Sequence, residues 1–325
     1  MPWVVRDAVD DVNRVVGRRW QGLDPMLPGR ADLPDGCAAP LVAAGTNGRP
    51  AGLGVCRHEY VPADTLNQTW GAAGRFSLIL RLREPDTSAA LDHLLGQWHD
   101  HLARLPEAGA QDTAAMISWP SRDVSGVNAL LQHGMQSLTV VAVRPAGQAA
   151  DSGQHDAGSG QRDLIIREAG PADLGAVTEF EMGVIRYDAQ FGSAILRPAT
   201  EALVRAETQA ALARRPAWAW LAERDGQPVG LVHVQPPELS AWVAGMTRPG
   251  VTAYLQTMFV RSGERGGGVG AALVRHAHGV LDARGVQTTL LHYAQVNPLS
   301  APFWSRMGYR PLWTGWEVRP AASLR

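Results

Sequence analysis

The spacing of apolar and polar residues along the chain predicts alternating helices and strands. Val5, Val9, Val12 and Val16 lie near helical spacing and predict a helix over residues 3–20. The elements predicted after it in the first half are strands at Pro40–Ala44 and Gly52–His58 around the turn signal Thr46-Asn47-Gly48, a strand at Phe76–Leu82, a helix from Thr87 to about Leu105, a strand at Thr113–Trp119, a short helix at Val127–His133 and a strand at Ser137–Val143.

A similar order of elements returns after residue 163. The elements predicted there are a strand at Leu164–Arg167, helices at Pro171–Ala189 and Pro198–Arg214, a hairpin of Ala217–Glu223 and Val229–Gln235 about Asp225-Gly226, a strand at Tyr254–Val260, a helix after a glycine loop, and strands at Gln287–Tyr293 and Pro311–Arg319.

One block of the chain also occurs twice with the same spacing. Asp123 precedes Gly134 by as many residues as Asn297 precedes Gly308, and each glycine follows a short predicted helix, where a C-cap glycine is typical. The repeated order and this block predict two similar domains in tandem, at residues 1–145 and 163–325. Residues 146–162 are mostly Gly, Ser, Gln, Asp and Ala without apolar periodicity, and they are predicted to be a mobile linker.

Composition restricts the partners. The chain has 325 residues, a net charge of −1 and 45% hydrophobic residues, which suits two domains with sizeable cores. Its pI of about 6.8 gives no electrostatic reason to expect a nucleic acid or an anionic membrane as partner. No stretch resembles a signal peptide or a membrane span. The two cysteines, Cys37 and Cys56, suit a reducing compartment, so we expect a cytoplasmic protein.

The stretch from Tyr254 to Arg284 carries the clearest chemical signal. A β-prone run ends at Val260, glycines follow at positions 263, 266, 267, 268 and 270, and a helical pattern begins at Val269. A strand, a glycine loop and a helix N-terminus together direct backbone N–H groups toward an anion.

Spacing separates three kinds of anion-binding loop. A P-loop requires a lysine after its second glycine, and none follows here. Gly266-x-Gly268-x-x-Ala271 matches the dinucleotide fingerprint, but no acidic residue lies between Asp282 and Glu317 to bind a ribose. The third possibility is Arg265-Gly266-Gly267-Gly268-Val269-Gly270. It resembles the Arg/Gln-x-x-Gly-x-Gly/Ala signature of the GNAT superfamily, the acyl-CoA-dependent N-acyltransferases.

A second motif agrees with this resemblance. The segment from Asn297 through Phe303 and Trp304 to Gly308 and Tyr309 is similar to the later element of the superfamily, which has Asn-x-x-Ala, an aromatic pair and Gly-Phe/Tyr. The resemblance implies an α/β (α+β) protein of two tandem GNAT-like domains, each a mixed, mostly antiparallel sheet flanked by helices. The connection Arg83 to Ser88 of the first domain has no glycine and contains Glu84, Pro85 and Asp86, so that copy is expected to be degenerate for CoA.

The resemblance also implies a function, which is transfer of an acetyl or acyl group from acetyl-CoA to a primary amine, expected to be a small molecule. No metal is expected, because the pairs His99/His101 and His276/His278 point to different sides of their helices. The residues that the resemblance assigns to CoA are Met258 and Val260 (pantetheine), Arg265, Gly266, Gly267, Gly268, Gly270 and Ala271 (pyrophosphate), Asn297 (pantetheine) and Trp304.

The catalytic groups are less clear. The family's usual acid, a tyrosine seven residues after Asn297, is replaced by Trp304, which cannot donate a proton to the thiolate. Tyr254 and Gln256 stand where some members place a base, and His292 and His233 are candidates because histidine is the residue type that ordinarily titrates near neutrality. Glu179, Glu181 and Asp188 lie on one predicted helix and either bind a cationic amine or form a solvated face. Acceptor selectivity is expected in the segment Pro236–Thr252, which carries Trp242 and Met246.

The sequence is also compatible with two other functions. The missing tyrosine also suits a non-catalytic acyl-CoA sensor or scaffold. A nucleotide-dependent oxidoreductase is disfavoured by the missing ribose carboxylate.

Overall fold

A computed structural model describes residues 2–30, with side chains from residue 11, and residues 40–45, 50–83, 87–148 and 164–325. The predicted turn at Thr46-Asn47-Gly48, the connection at Glu84-Pro85-Asp86 and most of the predicted linker lie outside these residues. The helices are α1 Pro2–Leu23, α2 Thr87–Leu102, α3 Val127–Gln132, α4 Leu174–Ala189, α5 Thr200–Leu212, α6 Ala241–Ala244, α7 Val269–Ala283 and α8 Ser300–Arg306.

The strands lie close to their predicted positions. They are β1 Leu41–Ala44, β2 Pro50–Tyr60, β3 Gly74–Leu82, β4 Thr113–Pro120, β5 Gln136–Pro145, β6 Ile165–Glu168, β7 Ala219–Arg224, β8 Gln227–Gln235, β9 Thr252–Val260, β10 Thr288–Ala294 and β11 Arg310–Val318. The predicted hairpin about Asp225-Gly226 is present. Both turn residues have positive φ angles, of 50° and 72°, as expected for a tight hairpin turn that matches the twist of its strands.

All of these strands form one sheet, in the order β1-β2-β3-β4-β11-β5-β10-β9-β8-β7-β6. The pairs β3/β4 and β9/β10 are parallel, and the other neighbours are antiparallel. The predicted fold class, a mixed and mostly antiparallel sheet flanked by helices, is confirmed. The division into two domains at residues 145 and 163 stays a prediction.

The last strand of each half lies beside the other half of the chain. β11 pairs with β4, β5 pairs with β10, and β5 and β11 pair with each other in the middle of the sheet. An ion pair joins this part of the sheet to a helix. Arg144 on β5 donates to Asp282 on α7 at 3.1 and 3.2 Å. The two halves therefore share a single hydrogen-bonded sheet.

The helices lie on opposite faces of this sheet. Trp313 and Trp316 on β11 are three residues apart and so face opposite sides. Trp316 packs in the core that contains α2, and Trp313 packs in the core that contains α1. Adjacent residues on β5 are divided in the same way, since Val140 packs with α7 and Val141 with α1. On β8, Leu231 packs with α4 while Val232 packs with α7. Thus α2 and α7 cover one face, and α1 and α4 cover the other.

Candidate active site

The parallel strands β9 and β10 separate part of the way along. Their pairing runs from Thr252↔Thr288 to Tyr254↔Leu290, where the ladder stops. Just beyond, β9 has one extra residue, because Leu255 and Thr257 face the adjacent β8 residues Val234 and His233. Gln256 is this bulge residue. A bulge bends its strand and ends regular pairing, which opens a gap between β9 and β10.

The edge of β9 that borders this gap carries backbone groups that have no partner strand among the described residues. Arg261 donates its N–H to the carbonyl of Val229 on the strand that precedes β9, at 2.9 Å. Backbone groups alternate in direction along a strand, so those of Met258 and Val260 point into the gap. The carbonyl of Val260 accepts from Arg265 Nε at 3.0 Å. An extended, amide-containing ligand arm could pair with the remaining groups.

The glycine loop leads from β9 into α7. Gly266 and Gly268 have φ angles of 81° and 82°, in the left-handed region that favours glycine. No acceptor for the backbone N–H groups of residues 266–271 was found in the parts of the chain that the structure describes. These groups surround the N-terminus of α7, whose first turn contains no acidic residue, so the loop is suited to an anion such as a pyrophosphate.

Charged side chains flank the loop. Glu264 is paired with Arg224. The guanidinium of Arg265 lies 5.8 Å from the ring of Tyr187 and 5.9 Å from that of Phe259. Arg265 is therefore fixed between β9 and α4, with its charge next to the loop.

A large cleft connects the loop, the gap and the first half of the chain. Its volume is about 1710 Å³, which exceeds the roughly 300–1,000 Å³ of an ordinary small-molecule pocket and leaves room for two substrates. The CoA residues predicted from the sequence line it, with the exception of Gly267. The residues that floor the cleft on the α1 and α4 face are Met116, Ser118, Leu138, Thr139, Val141, His292, Gly315 and Glu317.

Two side chains meet beside the gap. Asp188, near the end of α4, accepts a hydrogen bond from the side chain of Asn297. Asn297 is buried, and its Oδ1 accepts from the backbone N–H of Leu299 at 3.0 Å. Burial raises the pKa of Asp188 to about 6, and the hydrogen bond from Asn297 opposes this shift. Asp188 is thus a carboxylate that can take up a proton close to neutral pH, at the point where the cofactor gap meets the cleft.

Tyr254 and His292 form a second polar pair. The hydroxyl of Tyr254 and Nδ1 of His292 lie 3.2 Å apart, and the indole of Trp242 stacks on the imidazole at 6.1 Å. The surrounding protein lowers the pKa of His292 to about 4 and raises that of Tyr254. Both groups are therefore neutral at pH 7, although the imidazole is open to the cleft.

Gln256 belongs to the same surface. It accepts a hydrogen bond from Gln235 at 2.8 Å, and Gln235 in turn accepts from the indole N–H of Trp242 at 2.9 Å. Trp242 and Met246, from the segment in which acceptor selectivity was predicted, line the cleft.

Trp304 lies in the wall of the cleft. It is 7% exposed and packs edge-on against the rings of Phe303 and Tyr309, at 4.9 and 5.3 Å. Tyr309 is itself buried and shares a hydrogen bond of 3.0 Å with His278. Trp304 therefore contributes shape to the site and no proton.

Three other candidates lie elsewhere. His233 is buried under α4, where Glu181 bonds to its Nδ1 at 2.8 Å and also accepts from Thr208. Glu179 forms an exposed ion pair with Arg261 at 2.8 Å. The described residues that line the cleft do not include His233, Glu179 or Glu181.

The sequence did not identify the residues of one wall of the cleft, which comes from the first half and from the end of β11. Arg75, Glu317 and Arg319 line the cleft beside Asn67 and Trp70. Arg197 fixes this wall to the second half by donating to the Gln68 carbonyl at 2.8 Å and to Asp112 at 2.8 and 3.2 Å. No local motif marks these residues, because the strand exchange brings them together.

Two further features concern only the described residues. Within them, no group of three or more His, Cys, Asp or Glu side chains is arranged to hold a metal ion. Similarly, the helices in those ranges include none with the length and apolar character needed to cross a bilayer.

Comparisons with known proteins agree with the fold. Residues 189–309 match the sequence model of the acetyltransferase (GNAT) family, which supports the superfamily indicated by the two motifs. No curated protein matches the chain.

Several solved structures are similar to the chain at low sequence identity. A GCN5-related N-acetyltransferase from Sphaerobacter thermophilus superposes with a TM-score of 0.56 and 18% identity, covering 96% of this chain and 92% of that one. A GCN5-related N-acetyltransferase from Kribbella flavida has a TM-score of 0.45 and 16% identity, over 94% and 96% of the two chains. A GNAT-family acetyltransferase from Colwellia psychrerythraea has a TM-score of 0.47 and 12% identity, over 85% and 83%.

Proposed function

We propose that this chain, whose residues 189–309 match the GNAT family, is an acyl-CoA-dependent N-acyltransferase that acetylates a primary amine of a small molecule. The observation that carries the proposal is the open glycine loop at the start of α7 beside the gap between β9 and β10. Together they offer a cradle for a pyrophosphate and a strand edge for a pantetheine arm, in the order in which these groups occur in CoA.

The donor would be held mainly by backbone groups. The N–H groups of residues 266–271 would bind the pyrophosphate, assisted by the dipole of α7. The N–H and carbonyl of Met258 and the N–H of Val260 would pair with the amides of the pantetheine arm. A backbone N–H near the Gln256 bulge would stabilise the oxyanion that forms at the thioester carbonyl.

The acceptor amine would approach from the cleft. A protonated amine would be attracted to Asp188, which would then take up the proton and leave a neutral amine to attack the thioester carbonyl. This assigns the base to Asp188 and gives Tyr254, Gln256 and His292 the role of orienting the amine or a water. The attack forms the carbon–nitrogen bond, the carbon–sulfur bond breaks, the nitrogen loses its second proton to solvent, and CoA leaves as a thiolate. A thiolate is stable enough to leave without the usual tyrosine acid, and solvent can protonate it.

A second function, acyl-CoA sensing without turnover, is favoured by Trp304 alone. A direct assay distinguishes the transferase from the sensor. Acetyl-CoA is mixed with the protein and a panel of primary amines, and free thiol and N-acetylated products are measured. An amine-dependent release of thiol with a matching acetylated product supports the transferase. Calorimetric binding of CoA without release on any amine would favour the sensor, and failure to bind CoA would exclude both.

A further inference from the structure

The cleft continues past the reaction centre to a wall formed by the first half and by the end of β11. Asn297 lies just beyond the end of β10 and donates to Asp188 on α4, while Arg319 lies just beyond the end of β11. Only β5 separates these two strands, so they are about 10 Å apart at the usual strand spacing. A ligand extended across the floor from Asp188 would reach this wall.

Arg75 on β3 is fixed at this wall. It donates from Nε to the carbonyl of Ala72 at 3.0 Å and from one Nη to the carbonyl of Asn67 at 2.7 Å. These acceptors carry no formal charge. Burial lowers the pKa of Arg75, so an anion nearby would stabilise its guanidinium.

Arg319 comes from the other side of the same wall. Its Nε lies 2.5 Å from a carboxylate oxygen of Glu317, while its Nη2 is buried without a hydrogen-bond partner among the described residues. A buried donor without a partner costs about 1–3 kcal/mol and requires an explanation. A Cβ placed on Gly71 would lie 3.7 Å from Nη2 of Arg75 and 4.0 Å from Nη2 of Arg319, so the two nitrogens are within about 8 Å of each other.

Most carboxylates near this wall are paired with arginines other than Arg75. Glu317 is paired with Arg319, and Glu59 is paired with Arg57 at 3.4 Å. Arg197 is paired with Asp112. Asp64 also lines this part of the cleft, but among the described residues Arg75 has no carboxylate at ion-pair distance.

We infer that Arg75 and Arg319 form a subsite for an anionic group of the acceptor, which is therefore an amine that carries a carboxylate or phosphate on the far side of the cleft floor, roughly 10 Å or more from its nitrogen. The inference rests on the proposed N-acyltransferase function, because it takes Asp188 as the position of the amine. It gives the first half of the chain a role in substrate recognition.

A series of ω-amino acids measures this subsite directly. The probes run from glycine to 8-aminooctanoate, each beside its own carboxamide, so that every pair differs by one charge. They are titrated calorimetrically into the full-length protein, free and saturated with CoA. Amino-alkyl phosphates of similar length form a second arm, which distinguishes a phosphate from a carboxylate.

We expect one or more anionic probes near the length of the cleft to bind about tenfold or more tightly than the matching amide, because an ionised acceptor strengthens a hydrogen bond by about this amount. Arg75→Met and Arg319→Met should each remove this preference and leave the binding of the neutral amides unchanged, which also shows that the variants fold. Arg214→Met, an exposed arginine at the end of α5, should keep it.

Two results would overturn the subsite. One is that no anionic probe of any length binds more tightly than its amide, including the case in which nothing binds. The other is a preference that survives both arginine variants. Failure of the proposed function is distinguishable, because it appears as absent CoA binding or absent amine-dependent thiol release.

Discussion

Asp188 is the residue on which proton removal depends in this account. Burial beside Asn297 raises the pKa of its carboxyl to about 6. The ionised, proton-accepting fraction therefore falls as the pH drops through about 6, and it is nearly complete above pH 7. An ordinary exposed aspartate would remain ionised to about pH 4.

Asp188→Asn should lower kcat by about 10²–10⁴-fold, the usual contribution of a general base, with little change in CoA affinity. In the pH profile of kcat/KM, the limb with an apparent pKa near 6 should be present in the wild type and absent in the variant. The measurement is steady-state thiol release between pH 5 and 9. An unchanged limb in Asp188→Asn would assign the base elsewhere, and Glu201→Gln, at an exposed ion pair with Arg186, serves as the control.

Trp304 tests whether the missing acid limits the rate. Trp304→Tyr places a phenol where the superfamily has its acid. Trp304→Phe gives a side chain of similar size that has no hydroxyl group. If protonation of the thiolate limits turnover, the tyrosine variant should exceed the phenylalanine variant by about tenfold or more in kcat. Equal rates in the two variants, measured under saturating acetyl-CoA, would show that the thiolate leaves unaided.

The sequence marks the glycine loop more clearly than it marks the polar pair Asp188 and Asn297. Gly266 and Gly268 are recognisable because a positive φ requires a special residue type. Asp188 was named only as one of three acids on a helix, since its contact with Asn297 joins residues more than one hundred positions apart. Arg75 and Arg319 were not predicted, for the same reason.

At the scale of elements, the sequence located the strands but not their neighbours. Apolar runs identify β5 and β11 as strands. The repeated order of helices and strands along the chain predicts two separate sheets. The pairing of β11 with β4 and of β5 with β10 is set by tertiary contacts, such as the ion pair between Arg144 and Asp282, which no local pattern reveals.

This ion pair should matter for stability. Arg144 is 4% exposed, and its removal leaves a partly buried carboxylate on α7. Burial alone would raise the pKa of Asp282, and Arg144 lowers it below its usual range. Arg144→Met should therefore reduce the free energy of unfolding by roughly 1–3 kcal/mol.

Urea denaturation followed by circular dichroism measures this loss. The matched control is Arg186→Met, whose ion pair with Glu201 is exposed and should contribute about 0–1 kcal/mol. Equal losses of unfolding free energy in the two variants would mean that the contact between β5 and α7 does not stabilise the pairing of β5 with β10.

The whole molecule should unfold as one unit. A sheet in which β11 lies between β4 and β5 cannot lose one half without exposing strand edges of the other. Thermal or urea transitions followed by tryptophan fluorescence and by far-ultraviolet circular dichroism should therefore coincide. Tryptophans lie in both halves of the chain, so two separated transitions would reveal halves that fold independently.

The central claim is that the glycine loop before α7 binds acyl-CoA. Gly267 is the best position at which to test it, because its φ lies outside the left-handed region and an added Cβ would meet its nearest neighbour, the Glu264 carbonyl, at an ordinary 3.6 Å. Gly267→Glu introduces a negative charge beside the pyrophosphate, and Gly267→Gln introduces the same bulk without the charge.

Calorimetric titration of CoA into the wild type and both variants is the most direct measurement. We expect wild-type binding, a loss of about 100-fold or more in Gly267→Glu because of like-charge repulsion, and a much smaller loss in Gly267→Gln. Equal binding in all three proteins, or no binding by the wild type, would contradict the loop assignment and the function built on it.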